Sequence, residues 1–335
     1  MKELLSKLAS ASGPSGSERH IREILEELLK PHVDQLTTDV LGNLIGFKKG
    51  TATDRRTVLL EANMDESGVM AIHIEDNGFI RIVPIGNLTA ASLIGERVRF
   101  TTRTWGVVGV SADKPLKDVT FADLFVDVGC ESRQETEANV KIGTAAVIDK
   151  GAFELGKHRI AGKSLDNRAG CAILVDVLKK LGSYEYDLYV VFAAQEEVGS
   201  RGIRAAAFSI EADLAFVVGT AKATDTPQAD RGSLALGKGP AIKVMDRGVV
   251  IPPHLKQHLI KTAERMGIPY QLEVSSETIS DAGQILLTRD GIPTGAVSVP
   301  MRYRQTPSQV VDLRDLEQTS KLVMESLRGA SNCFL

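Results

Sequence analysis

The chain has 335 residues, 43% hydrophobic and 25% charged, with 40 basic against 43 acidic side chains and a formal net charge of −3. That balance leaves room for two domains and a sizeable core, and argues against nucleic acid or an anionic membrane as the main partner. Aromatics are only 5%, and the three cysteines form no CxxC pair, so stacking platforms, disulfide scaffolding and a thiolate zinc site are all disfavoured. No apolar stretch reaches membrane-spanning length, and the expected setting is soluble and cytoplasmic.

In chain order, Leu4, Leu5 and Leu8 give a short helical face that residues 12–16 break. A helix is predicted over 18–29, from Ile21, Ile24, Leu25 and Leu28 on one side and Pro31 beyond the end. Strands follow at 41–47 and 57–62. Residues 69–73, 79–84, 98–102 and 107–110 are short β-rich runs with no long helix between them, and Asp76-Asn77-Gly78 is a turn between the first two. From Asp166 the pattern alternates: helix 167–181, strand 188–192, helix 202–208, strand 214–218, a strand near Ile242, helices 252–266 and 281–287, strand 294–299 and helix 313–327. Such alternation predicts an α/β sheet.

Ligands of open α/β sheets gather at the carboxyl ends of strands. Those ends carry Asn63-Met64-Asp65-Glu66, Gln195-Glu196-Glu197, Gly219-Thr220 and Arg302-Tyr303-Arg304-Gln305. Two adjacent carboxylates at a buried strand end repel each other and lose hydration, so Glu196 and Glu197 call for something positive nearby. Read alone, the pair is better explained as a solvated turn before the helix at Gly202. Asp166, read alone, is better explained as an N-cap worth about 1 kcal/mol. No nucleophile elbow or phosphate loop is correctly spaced, and none of the six histidines lies at these strand ends.

Together the segments say more. GKSLDNRAGC, QEEVGSRG, ATDTP, GKGPAIKVMDR, SDAGQILLTRDGIPTGAVSVPMRY and VVDLRDL occur in that order, and the chain resembles the tetrahedral (TET) aminopeptidases, also called deblocking or glutamyl aminopeptidases, from end to end. The resemblance implies a zinc-peptidase-like α/β domain with a mixed sheet flanked by helices, residues 1–68 and 160–335. It also implies an inserted small β-barrel-like dimerisation domain at 69–159, two metal ions, and a hollow twelve-subunit particle. Position by position, Asp166 matches the Asp that bridges both metals, Glu197 a metal-ligating Glu, Glu196 the general base and Asp65 the Asp that orients a metal-bound His. Asn63 stands where that His belongs, Gly219 where a later metal-binding Asp belongs, and Gln305 where the last metal-binding His belongs. Asp225 and Arg302 fall in the substrate pocket. The segment SSETISDAG departs from the family's glycine-rich form.

Three of five ligand positions are thus replaced. Imidazole suits zinc or cobalt, whereas carboxylate and amide oxygens suit magnesium, manganese or calcium. The expectation is no tightly bound metal, or one weak divalent cation of the harder kind at Asp166 and Glu197, with aminopeptidase turnover lost or strongly reduced. Lys163, Arg168 and Arg304 are the candidate internal counter-ions. Expected partners are peptides if the chain is active, copies of itself from dimer to dodecamer, or an active paralogue in a mixed assembly.

Overall fold

Strand burial sorts the chain into two sheets. In the computed structural model, which describes every residue except 54, 55, 112, 114, 228, 230, 231, 233 and 335, β1 (Gln35–Thr38), β2 (Leu44–Lys48) and β3 (Thr57–Asn63) begin a large mixed sheet. The next six strands close an antiparallel barrel: β4 (Gly68–Ile74), β5 (Ile80–Ile85), β6 (Arg97–Phe100), β7 (Trp105–Val110), β8 (Leu124–Asp127) and β9 (Ala145–Ile148). The chain rejoins the large sheet with β10 (Phe153–Leu155) and β11 (Arg159–Gly162). It continues through β12 (Asp187–Ala193), β13 (Leu214–Lys222), β14 (Ala241–Met245), β15 (Gln271–Val274), β16 (Thr294–Arg302) and β17 (Gln309–Asp312). The helices are α1 (Lys2–Ser10), α2 (Arg19–Leu29), α3 (Arg133–Glu137), α4 (Leu165–Leu181), α5 (Arg201–Ile210), α6 (Pro253–Met266), α7 (Asp281–Leu286) and α8 (Leu313–Arg328).

The large sheet has the order β1-β2-β12-β3-β13-β16-β17-β11-β10, with β14 attached to β16 and β15 to β14. Its centre, β12-β3-β13-β16, is parallel. Those strands are buried along nearly their whole length, as parallel strands covered on both faces must be, so they read as continuous apolar runs. The barrel strands alternate instead: Val98, Phe100 and Val108 point into a separate small core while Arg97, Trp105 and Val107 face out. Gly78 (φ 91) makes the turn between β4 and β5, where a side chain would strike the Cys130 carbonyl.

Two local readings change. The run at 41–47 is not one strand. The Asp39 carboxylate accepts the backbone N–H of Leu41 (2.9 Å) and Asn43 (3.0 Å), turning the chain between β1 and β2. Asp166 does not cap α4, because its backbone and that of Asn167 are non-helical and its carboxylate is engaged elsewhere.

Candidate functional site

The parallel strands bring the site together because their carboxyl ends lie side by side, with Asn63 opposite Ala193 and Val217 opposite Glu61. The Gln195–Ser200 turn is then held at both ends. Asn43 accepts from the Ala194 N–H (2.8 Å) and donates to the Gly202 carbonyl (2.9 Å), while Glu18 accepts from the Gln195 N–H (3.2 Å). Gln195 and Ser200 both take positive φ, 58° and 52°, so the turn doubles back and leaves Glu196 and Glu197 at the strand end. From the barrel side, the Gly86 backbone lies against Glu197 so closely that a Cβ would meet its carboxylate.

Asn63 is engaged at both ends of its side-chain amide. Its carbonyl accepts from Asn167 Nδ2 (2.9 Å) and its amide donates to Asp65 Oδ1 (3.1 Å). The other Asp65 oxygen accepts from Ser15 Oγ (2.7 Å) and the Glu197 N–H (3.1 Å), so a completely buried carboxylate is satisfied without a cation. Asp166 is held by Arg304, whose Nε and Nη2 both donate to Oδ2 at 2.9 and 2.7 Å, and by Thr220 Oγ1, which donates to Oδ1 at 2.5 Å. Arg304 sits between Tyr303 (φ 58°) and Gln305 (φ 61°), two left-handed residues that turn its side chain inward while theirs are exposed.

A cavity of about 40 Å³ lies among these groups, lined in part by Glu61, Glu196, Gly219, Asp281 and Arg304. Burial, reinforced by neighbouring carboxylates, raises the Glu61 and Glu196 carboxyls well above the usual range. Burial, with the charges of Asp166 and Asp65, pushes Glu197 up to about 7. Among the described residues no three His, Cys, Asp or Glu side chains converge as metal ligands.

Not every sequence candidate is here. Gln305 is exposed and does not line the cavity. Asp225 and Arg302 also lie outside its wall and pair with each other, Arg302 Nε and Nη2 donating at 2.7 and 2.6 Å. Of the candidate counter-ions, Arg304 reaches Asp166, whereas Lys163 (2.6 Å) and Arg168 (3.4 Å) pair with buried Glu66. Glu66 also accepts from the Gly13 N–H (2.9 Å), tying the segment after α1 to the start of α4. Sequence reasoning passed over Glu61 and Asp281. Glu61 did leave a signal, being a charge inside the otherwise apolar run Val58-Leu59-Leu60-Glu61-Ala62.

A family model described as M42 glutamyl aminopeptidase matches residues 42–322. The lysyl aminopeptidase of Pyrococcus furiosus is 35% identical over 335 residues, covering 96% of this chain and 94% of its own length. Among solved structures, aminopeptidase APDkam598 from the archaeon Desulfurococcus kamchatkensis superposes with a TM-score of 0.94 at 37% identity, covering 97% of this chain and 94% of that one. The Pyrococcus horikoshii TET1 peptidase, which can assemble into a tetrahedron or a large octahedral shell, gives 0.88 at 30% identity, covering 98% of both chains.

Proposed function

The chain belongs to the M42 glutamyl aminopeptidase family, and on that premise we propose that it keeps a peptide-binding scaffold but has lost, or nearly lost, two-metal hydrolysis. One observation carries the reading. The carboxylate that the family resemblance assigns to both metals is occupied by a guanidinium, Arg304 on Asp166, with Thr220 on its other oxygen. A guanidinium supplies charge but has no coordination position to offer water, so it cannot make a hydroxide at neutral pH as a metal does. The surrounding donors point the same way: Asn63 spends its amide on Asn167 and Asp65, Gly219 has no side chain, and Gln305 faces away. These residues do not fit a metal pair. Glu196, the general base by resemblance, then has no activated water to deprotonate.

The role that follows is a structural, regulatory or peptide-binding subunit in the cytoplasm. We place it in a homo-oligomer of the kind its TET1 relative builds, alone or beside an active paralogue. Trp105 and Val107, exposed on the outer face of β7, supply an apolar strip for such contacts.

The test is calorimetric titration with zinc, cobalt, manganese and magnesium, paired with turnover of a panel of amino-acid p-nitroanilides. The expected result is no tight metal and negligible hydrolysis. One weak site would support the single-cation alternative at Asp166 and Glu197. Two tightly bound metals per chain with rapid turnover would overturn the proposal.

A further inference from the structure

Positive charge gathers at a second concave surface. Between α6 and the end of α8 lies an open groove of about 750 Å³, and none of its lining residues borders the strand-end cavity. One wall is a stripe along a single helix. His254, His258, Lys261 and Arg265 recur at i, i+4, i+7 and i+11 of α6, so they share one face over about 16 Å. Arg328, in the last turn of α8, adds a third permanent cation. Glu325 is the sole acid among the described lining residues, and Arg328 Nη1 already holds it at 2.7 Å. The chain as a whole carries a net charge of −3, so this excess is local, and a concave surface focuses its field.

Two features mark contacts still to be made. Lys261 and Arg265 are exposed and have no carboxylate or hydrogen-bond partner among the described residues. His254 Nε2 is shielded from water and also lacks a partner among them, which native structures avoid unless an ion, water or ligand completes the site. Gly329 ends α8 without a side chain beside His258, where a Cβ would press the ring at 3.1 Å, so the backbone there stays open to approach. No hydrophobic residue lines the groove, and its end at Ser331 and Asn332 offers neutral donors. An apolar side chain or a nucleobase therefore has no seat. The stripe is also far longer than the reach of one phosphate, whose charge-assisted contacts span about 2.7–2.9 Å.

We propose that this groove binds an oligophosphate, an anion carrying several phosphate groups along its length. Lys261 and Arg265 take phosphate oxygens at the centre, and His254 and Asn332 donate toward the ends. The chemistry has two sources, a linear inorganic polyphosphate and a polyphosphorylated ring. The site stands apart from the strand-end cavity, so it does not depend on whether that cavity holds metal.

The experiment titrates the full-length protein, after chelator dialysis, with sodium tripolyphosphate by calorimetry. Inositol hexakisphosphate and hexaglutamate run as parallel arms at matched ionic strength. Tripolyphosphate should bind once per chain, and Lys261→Gln with Arg265→Gln should weaken it at least about tenfold, since two charge-assisted contacts disappear. Both side chains are exposed, so the doubly substituted protein should keep the melting temperature of the unaltered chain. Tighter binding of tripolyphosphate than of the inositol phosphate assigns the groove to linear chains, and the reverse assigns it to phosphorylated rings. Hexaglutamate bound as tightly as either would overturn the phosphate assignment in favour of an acidic peptide. The groove itself would be overturned by a phosphate affinity weaker than about 1 mM, or by one that the double substitution leaves unchanged.

Discussion

Replacing Arg304 with Met keeps side-chain length and removes the charge that holds Asp166. Breaking a fully buried ion pair costs about 3–5 kcal/mol, whereas an exposed one is worth at most about 1 kcal/mol. Here the two side chains are 22% and 16% exposed and the contact is two-pronged, so the cost falls between those limits, about 2–3 kcal/mol. Asp166→Asn in the same background should recover much of that loss, because the stranded charge disappears. A double-mutant cycle by urea unfolding should give a coupling of about 2 kcal/mol between the two residues. The same Arg304→Met protein should bind manganese at least tenfold more tightly than the unaltered chain, since Asp166 and Glu197 become free to share a cation. Coupling below about 0.5 kcal/mol together with unchanged manganese affinity would refute the idea that Arg304 stands in for a metal.

Glu197 carries a pH signature. Its pKa rises from 4.5 to about 7 on folding, so between those values the native state holds a proton that the unfolded chain has released, and stability falls as pH rises through that window. The loss above pH 7 is about 3 kcal/mol, and Glu197→Gln should flatten the melting profile between pH 5 and 7. A profile that rises across the window, as for a carboxylate bound to a cation, would contradict the assignment. Gly202→Ala should destabilise the protein by about 1–3 kcal/mol in chemical unfolding, because the new Cβ meets Asn43 Oδ1 and the Ala194 backbone; an unchanged midpoint would show the loop less constrained than described. Asn63→His and Gly219→Asp introduced together with Arg304→Met should create zinc or cobalt binding by calorimetry, with Gln305 left unchanged because its side chain faces away from the cavity. No gain would mean that the backbone around the site has diverged along with its side chains.

The fold was legible where burial leaves a one-dimensional trace. Apolar runs gave the central parallel strands, and short alternating runs gave most of the barrel. The strand at Gln35–Thr38 left little trace because it lies at the sheet edge and three of its four residues are exposed. The site was legible in Glu196 and Glu197, adjacent in sequence, and Asp166, singled out by its motif. It was not legible in which cation faces which acid. Lys163, Arg168 and Arg304 all adjoin site motifs, yet two of them close on Glu66 and one on Asp166. That allocation depends on side-chain direction at a non-helical step in α4 and at the two left-handed residues flanking Arg304, neither of which has a sequence period.

On the proposed metal-free reading, the buried acids at the strand ends are partnered rather than stranded. Random loss of a metal ligand would strand Asp65 and Asp166 in a low-dielectric site at a cost of several kcal/mol. Here each accepts from a neutral or cationic donor of matching reach: Asp65 from Asn63, and Asp166 from Arg304 and Thr220. Glu61 and Asp281 are instead buried against each other with no ion-pair partner among the described residues, and burial raises both carboxyls above the usual range.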